Sequence, residues 1–384
     1  MLDKILNKKW FVDDCFERDS RINSLEQRDK NFLRAMVLTT LRHKGEIDHF
    51  LHQFSRDFDN VLRVAIAQLK FMGLPDHAVV NEMVNLAENK PFVNAVLRKS
   101  SVEKIDKNIK LDFPKWMLGS WKMAYGDERL AQMLPLMLEE PPLDITLKEG
   151  QRSKVEGQSY FSLDLRPMTL PNGSIRVSGA GNITELNGFA EGEWWVQDAS
   201  STMVVPMLGD VKGKRVLDMC AAPGGKTAQL CDAGAQVTAI DESERRTKRL
   251  RENMERLKFS PEVICVDARN YKAEPFDAIL LDAPCTATGT IRKNPEILHS
   301  RTPEDVKEMV KIQNELINVA YNLLKPNGIL AYSVCSLQYE EGEGLMKKLD
   351  PKSWQLQEQK RILPCDYAEF GGIGGFYMAK LLKV

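Results

Sequence analysis

The chain has 384 residues and a formal net charge of −1 at pH 7. That length suits two or three domains, and the balanced charge excludes a general basic coat for nucleic acid while leaving room for a local basic face. Its seven cysteines fall at irregular spacings without a CxxC pair, which argues against a disulfide framework or zinc ribbon and for a reducing cytosol. The opening stretch MLDKILNKKWFVDDCFERD is too charged for a secretory signal. No apolar run is long enough to span a bilayer. The expectation is a cytoplasmic protein, monomeric, with no membrane segment and no metal.

Residues 1–125 read as helices. Ser24 and Gln27 form a capping box and Gly45 offers a stop. Between them Leu25, Phe32, Leu33, Met36, Val37, Thr40 and Leu41 recur at three- and four-residue steps, predicting one buried face. Val61, Val64, Ala65, Ile66 and Leu69 predict a second helix. Asp76 caps a third, and Pro91 opens a fourth carrying Phe92, Val93, Val96 and Leu97. Short links between them predict a compact bundle. Over residues 126–200, Pro141, Pro142, Gly150, Gly157, Pro167, Pro171, Gly173, Gly179 and Gly181 punctuate short strand-like pieces such as Ile145 to Leu147 and Ile175 to Val177. These predict a small α+β connecting element.

From residue 201 to 384 strand and helix alternate. The strand candidates are Arg215 to Met219, Gln236 to Ile240, Glu262 to Val266, Ala278 to Leu281 and Gly328 to Ser333, with a late apolar piece from Phe376 to Leu382. Such alternation predicts an α/β, Rossmann-like, doubly wound and mostly parallel sheet.

The segment RVLDMCAAPGGKTAQL reads as strand, small-residue loop and helix start. Cys220, Ala221, Ala222, Pro223, Gly224, Gly225 and Lys226 would let backbone amides approach a ligand at a helix amino terminus. Asp241 ends the next strand, where an acid binds ribose hydroxyls, and Asp267 ends the third, facing an adenine. A phosphate-binding loop is the rival: Cys220 to Thr227 nearly fits GxxxxGK[ST], and AILLD imitates a magnesium-holding strand. Cys220 in place of the first glycine and the stiffening Pro223 count against an NTPase and for S-adenosylmethionine.

Two further stretches, DAPC at Asp282 to Cys285 and SVCS at Ser333 to Ser336, each put a cysteine just past an apolar run. On neighbouring parallel strands both thiols face one crevice. Such a pair suits methylation of cytosine carbon 5. A thiolate adding to carbon 6 activates the ring, a second thiol assists release, and Asp282 polarises the base near a ring nitrogen. Lys226 would help populate the thiolate. Cys15, Cys231, Cys265 and Cys365 read as buried packing residues.

MCAAPGGKT, DAPC and VCS, with WWVQDASS and LLKPNGILAYSVCS followed by EEGE, resemble motifs of the RsmB/Sun family of RNA 5-methylcytosine methyltransferases. FVNAVLR and RDKNFLRAMVLTTLRHKGEID resemble the NusB-like helical RNA-binding domain found in its bacterial members. The resemblance implies a class I S-adenosylmethionine-dependent fold for residues 201–384 and RNA binding for residues 1–125. It implies Cys335 as the nucleophile and Cys285 as the group aiding product release. Cys220 to Lys226, Asp241, Asp267 and Asp282 would contact cofactor or base. The implied partner is RNA, small-subunit (16S) ribosomal RNA or a subunit assembly intermediate. A catalytically silent RNA-binding or assembly factor is the alternative from another class. The chain departs from the family pattern at Thr286, Ala287, Asn327, Val334 and Gly342. Arg28, Arg34, Arg42, His43, Lys44, Arg98, Arg292 and Lys293 are candidate RNA-backbone contacts, and Trp194 and Trp195 are candidates for base stacking.

Overall fold

The computed structural model describes residues 1–151, 167–179 and 181–384, so Gly157 lies outside the described residues. Two compact units emerge, one of residues 1–139 with 291–302, the other of residues 140–290 with 303–384.

The first unit is helical: α1 (Leu2–Lys8), α2 (Val12–Arg18), α3 (Ser20–Asn23), α4 (Gln27–Arg42), α5 (Lys44–Leu51), α6 (Asn60–Lys70), α7 (Asp76–Leu86), α8 (Lys90–Val102) and α9 (Lys115–Leu138). Ile47, Phe50, Leu51, Leu62, Ile66, Val93 and Leu97 share one core. Val37 and Leu41 of α4 pack on Ile5, Val12 and Cys15 in another. The predicted face of α4 holds from Leu33 onward, but Leu25 and Phe32 are exposed. Ser24 does not cap α4, because its hydroxyl donates back to the Arg21 carbonyl. Gly45 does not end it either: the break falls at His43, and Gly45 lies inside α5. A Cβ there would stand 1.9 Å from the Leu111 carbonyl oxygen, so close packing of two backbones requires the glycine. Pro91 does sit in the first turn of α8, after Asn89 whose side chain accepts from Phe92 N. The bundle continues past residue 125, as α9 bends at Gly126 (φ 82°) and runs to Leu138.

The segment 291–302 joins this unit through hydrogen bonds in its interior. Glu296 accepts from Val12 N at 3.0 Å, Arg42 donates to the Arg292 carbonyl at 3.0 Å, and a His299 ring nitrogen lies 2.8 Å from the Leu41 carbonyl.

The second unit carries two sheets. The smaller is antiparallel with order β2-β3-β1-β4, from β1 (Leu143–Leu147), β2 (Met168–Thr169), β3 (Ile175–Val177) and β4 (Trp194–Val196). The larger comprises β5 (Arg215–Met219), β6 (Gln236–Asp241), β7 (Glu262–Cys265), β8 (Phe276–Asp282), β9 (Leu324–Val334), β10 (Trp354–Ile362) and β11 (Phe376–Lys383), in the order β10-β11-β9-β8-β5-β6-β7. Strands β5 to β9 pair in parallel, while β11 runs antiparallel to β9 and β10 to β11. The predicted strands are all present. β10 escaped the sequence pattern because it is an edge strand whose residues 355–360 are exposed, leaving no apolar signal.

Side-chain alternation builds two cores, one on each face of this sheet. Helices α10 (Gly225–Asp232), α11 (Glu244–Arg256) and α12 (Pro303–Leu323) flank the sheet, and Leu217, Met219, Ile279 and Leu281 pack on Leu316, Ile317 and Ala320 of α12. Val216, Ala278, Leu280 and Ala331 face the other way, onto Val204, Leu208 and Leu230. Among the described residues no helix is long and apolar enough to cross a membrane.

Candidate active site

Strands β5, β8 and β9 lie side by side, so the loops leaving their carboxyl ends meet. Asp282 pairs in register with Ser333, which places DAPC beside SVCS. The sulfurs of Cys285 and Cys335 approach to 3.5 Å. No period in the sequence specifies that distance; parallel pairing of two segments some 50 residues apart does.

The Cys220–Lys226 loop adds its charge to the same place. Lys226, near the start of α10, puts its ammonium 2.7 Å from Asp282 Oδ2, and Ser333 Oγ donates to Asp282 Oδ1 at 2.8 Å. Burial works against the charge on Lys226, but Asp282, the hydrogen bond between them, and then Cys335 hold its pKa above the usual lysine value. The Cys285 thiol is pushed well up, first by its hydrogen bond to Cys335, then by burial, then by the charge of Cys335. All three causes favour the protonated form of Cys285. A wholly buried carboxylate, Glu341, accepts from Thr286 and Ser336, the residues directly after the two thiols.

A cleft of about 410 Å³ opens beside these groups. Cys220, Asp241, Arg246, Asp267, Arg269, Asp282, Cys285 and Cys335 are part of its wall. The loop reaches it because Cys220 (φ 60°) and Gly224 (φ 106°) adopt left-handed conformations, the second placing α10's amino terminus behind the loop. Asp241 Oδ2 accepts from Ala222 N at 3.2 Å and pairs with Arg246 at 3.1 Å, while its Oδ1 accepts from Ser243 N. Asp267 is gripped by Arg269, whose hydrogen bonds hold its carboxyl below the usual range. Two acids spaced along one wall, with glycines at a helix amino terminus, suit an adenosine with a charged tail. The donor set thus fits S-adenosylmethionine.

The phosphate-loop rival fails on side-chain direction. Thr227, whose hydroxyl would hold magnesium in an NTPase, instead donates to the buried Asp218 at 2.6 Å, and Lys226 is committed to Asp282.

Several expected surface residues are interior. Arg42 and Arg292 are buried, so neither presents a charge to RNA. His43 stands 3.4 Å from Glu46 and 3.7 Å from Asp112, and Lys44 pairs with Asp48. Arg28 and Arg98 remain exposed, and Arg34 pairs with Asp13. Trp194 and Trp195 do point opposite ways, but both are buried, in separate cores, so neither is available to stack on a base. Cys15 and Cys365 are buried as expected; Cys265 is exposed, because it ends the edge strand β7. Of the departures, Ala287 and Asn327 both take positive φ, 57° and 60°. Asparagine tolerates that region better than alanine does.

Sequence reasoning missed Ser333 as a partner of Asp282, Arg246 as a partner of Asp241, and the inward aim of Glu341. Glu341 lies in the acidic run from Glu340 to Glu343, and nothing in that run says which carboxylate turns into the interior.

Fold and site together define a class I S-adenosylmethionine-dependent methyltransferase. Residues 205–381 match the family model for the 16S rRNA methyltransferases RsmB/F, and residues 1–101 match the NusB family. The ribosomal RNA small subunit methyltransferase B of Vibrio cholerae is 32% identical, across 93% of this chain and 86% of that protein. In fold the chain is similar to the solved structure of PH0851 (TM-score 0.81, 23% identity, 99% of this chain and 96% of that one). It also resembles a methyltransferase homolog from Pyrococcus horikoshii (TM-score 0.60, 26% identity, 72% and 97%). The chain belongs to the RsmB/F family of small-subunit ribosomal RNA methyltransferases. Its methyl donor is S-adenosylmethionine.

Proposed function

We propose that this methyltransferase modifies carbon 5 of a cytosine in 16S ribosomal RNA through a covalent adduct with Cys335. The observation that carries the reading is the 3.5 Å approach of two half-buried thiols at the wall of the cofactor cleft. Methylation of an exocyclic nitrogen needs no thiol; carbon 5 of cytosine is too weak a nucleophile without prior addition at carbon 6.

Cys335 adds to carbon 6 as the thiolate. Cys285 keeps the proton of the pair, and the ammonium of Lys226 supplies the compensating charge. Asp282, fixed at both oxygens by Lys226 and Ser333, would hydrogen-bond the base near its ring nitrogen, and a proton it takes from solvent and shares with that nitrogen draws electrons from carbon 6. S-adenosylmethionine, held by the Cys220–Lys226 loop with Asp241 and Asp267, supplies the electrophilic methyl group. Once Cys335 is a thioether it carries no charge and accepts no strong hydrogen bond. The hydrogen bond and the charge of Cys335 then no longer hold the proton on Cys285, and of the three largest causes only burial remains. Cys285 then gives its proton up to solvent and, as thiolate, takes the carbon 5 proton; the electrons of that C–H bond re-form the C5–C6 double bond and expel Cys335 as thiolate. The target must be presented unstacked, as single-stranded RNA or a flipped base.

The test is methyl transfer from labelled S-adenosylmethionine to 16S rRNA, with trapping on RNA carrying 5-fluorocytosine, which cannot lose a proton from carbon 5. Wild-type protein should form a stable protein–RNA adduct and Cys335→Ala none. An adduct that survives Cys335→Ala removes Cys335 as nucleophile, and label on a nitrogen or ribose removes the carbon 5 chemistry altogether.

A further inference from the structure

Glu341 is 0% exposed, a position where carboxylates are rare and need full satisfaction. Its Oε1 accepts from Thr286 N at 2.9 Å and from Gln313 Nε2 at 3.0 Å. Its Oε2 accepts from Thr286 Oγ1 at 2.5 Å and from Ser336 Oγ. The donors are neutral, so hydrogen bonds rather than a cation hold the carboxylate. Two of them adjoin the thiols: Thr286 follows Cys285, and Ser336 follows Cys335. Gln313 extends the grip one residue back, since the same amide donates to the Pro284 carbonyl at 2.9 Å.

The surrounding groups make the clasp rigid. Thr286, Thr288, Ser336 and Gln313 are all 0% exposed. Thr288 Oγ1 accepts from Leu337 N at 2.9 Å, Ser336 Oγ accepts from Gln338 N at 3.0 Å, and Gly289 N donates to the Cys335 carbonyl at 3.0 Å. Tyr332, inside β9, donates its hydroxyl to the Glu341 carbonyl at 2.8 Å and so fixes the backbone that carries the carboxylate. Solvent cannot replace any of these bonds, so losing the carboxylate leaves several donors unpaired at once.

We propose that Glu341 is a positioning residue that clasps the two thiol loops together and makes the settings of the two sulfurs unequal. This rests on the two-thiol reading above. The carboxylate touches neither thiol; it acts through the residues next to them. Beyond holding the sulfurs at 3.5 Å, it makes two bonds to the residue after Cys285 and one to the residue after Cys335, so the two sulfurs are held unequally.

Glu341→Gln separates geometry from charge. Its amide oxygen keeps the bonds from Thr286 N and Gln313, and the hydroxyls of Thr286 and Ser336 can rotate to accept from its NH2. Full-length wild type and Glu341→Gln are alkylated with iodoacetamide across a pH series, without RNA, and the yield at each cysteine is mapped by mass spectrometry. Wild type should label Cys335 ahead of Cys285. In Glu341→Gln that preference should fall towards parity, with the pH profiles of the two sulfurs drawing together. With RNA, kcat should drop by at least about tenfold while KM for RNA and for S-adenosylmethionine moves far less. Unchanged selectivity in Glu341→Gln, with wild-type kcat, overturns the proposal. Should that variant be insoluble, Thr286→Val removes one donor at the Cys285 end and reads the same selectivity. The labelling arm needs no RNA, so it decides the role of Glu341 even if the methylated atom proves not to be carbon 5.

Discussion

The ammonium of Lys226 lies 2.7 Å from the carboxylate of Asp282, tying the Cys220–Lys226 loop to the strand that delivers Cys285. The pair makes the two loops one electrostatic unit. The charge of Cys335 also helps hold the pKa of Lys226 up. Lys226→Met should therefore lower methylation at neutral pH by about tenfold or more. The loss should shrink as the pH is raised, where a thiol no longer needs a neighbouring cation to form a thiolate. A pH–rate profile parallel to wild type would exclude this role.

Cys285→Ala should keep adduct formation but slow turnover, by about 100-fold or more if it removes the base of the release step. The visible consequence is protein–RNA adduct accumulating on ordinary RNA, seen as a shifted band on a denaturing gel. Wild-type turnover by this variant would leave Cys285 without a part in release.

Asp241→Asn should weaken S-adenosylmethionine binding by about tenfold or more, through loss of a charged acceptor for ribose hydroxyls. Asp241 also accepts from Ala222 N and Ser243 N, and an amide oxygen keeps only part of that grip. Titration calorimetry with the cofactor alone reads the change, which should appear in Kd without RNA present.

Arg176 and Asp144 form a bidentate pair at 2.7 and 2.9 Å, 3% and 5% exposed. Arg176 also donates to the Phe370 and Gly372 carbonyls, and Asp144 accepts from Ala199 N. Asp144→Ala leaves a buried guanidinium without its counter-charge and should cost about 3–5 kcal/mol. Thermal unfolding should show a large fall, and the double variant Asp144→Leu with Arg176→Met should recover part of it.

Asp218, wholly buried beneath the cofactor loop, has its pKa pushed up to about 7 by burial, against the opposing hydrogen bond from Thr227. Its folded pKa lies above its unfolded value, so the folded state holds the proton longer. The stability it contributes is complete below the unfolded pKa and lost as pH rises through about 7. The pKa difference caps the loss at about 4 kcal/mol. Asp218→Asn cannot ionise, so wild type should lose stability relative to this variant between pH 5 and pH 8. A constant gap between the two melting temperatures would contradict the assignment.

Much of the architecture was legible before any coordinates, for a physical reason. Strands buried on both faces read as short apolar runs, so β5, β6, β8 and β9 announce themselves. The α4 face from Leu33 to Leu41 does so through its helical period. Cys220 to Lys226, DAPC and SVCS were visible because a strand's end and a loop's small residues are local features. What local pattern cannot carry is direction and partnership. Arg42 and Arg292 look like surface cations until both prove buried, and Gly45 looks like a helix stop until Leu111 packs against it. Thr227 looks like a magnesium ligand until it turns onto Asp218. The sequence alone determined which residues end up at the carboxyl edge of the sheet. Tertiary structure alone decided that two of them are thiols in contact and that Glu341 turns inward behind them. Those are long-range pairings, set by strand register and by the need to satisfy every buried polar group.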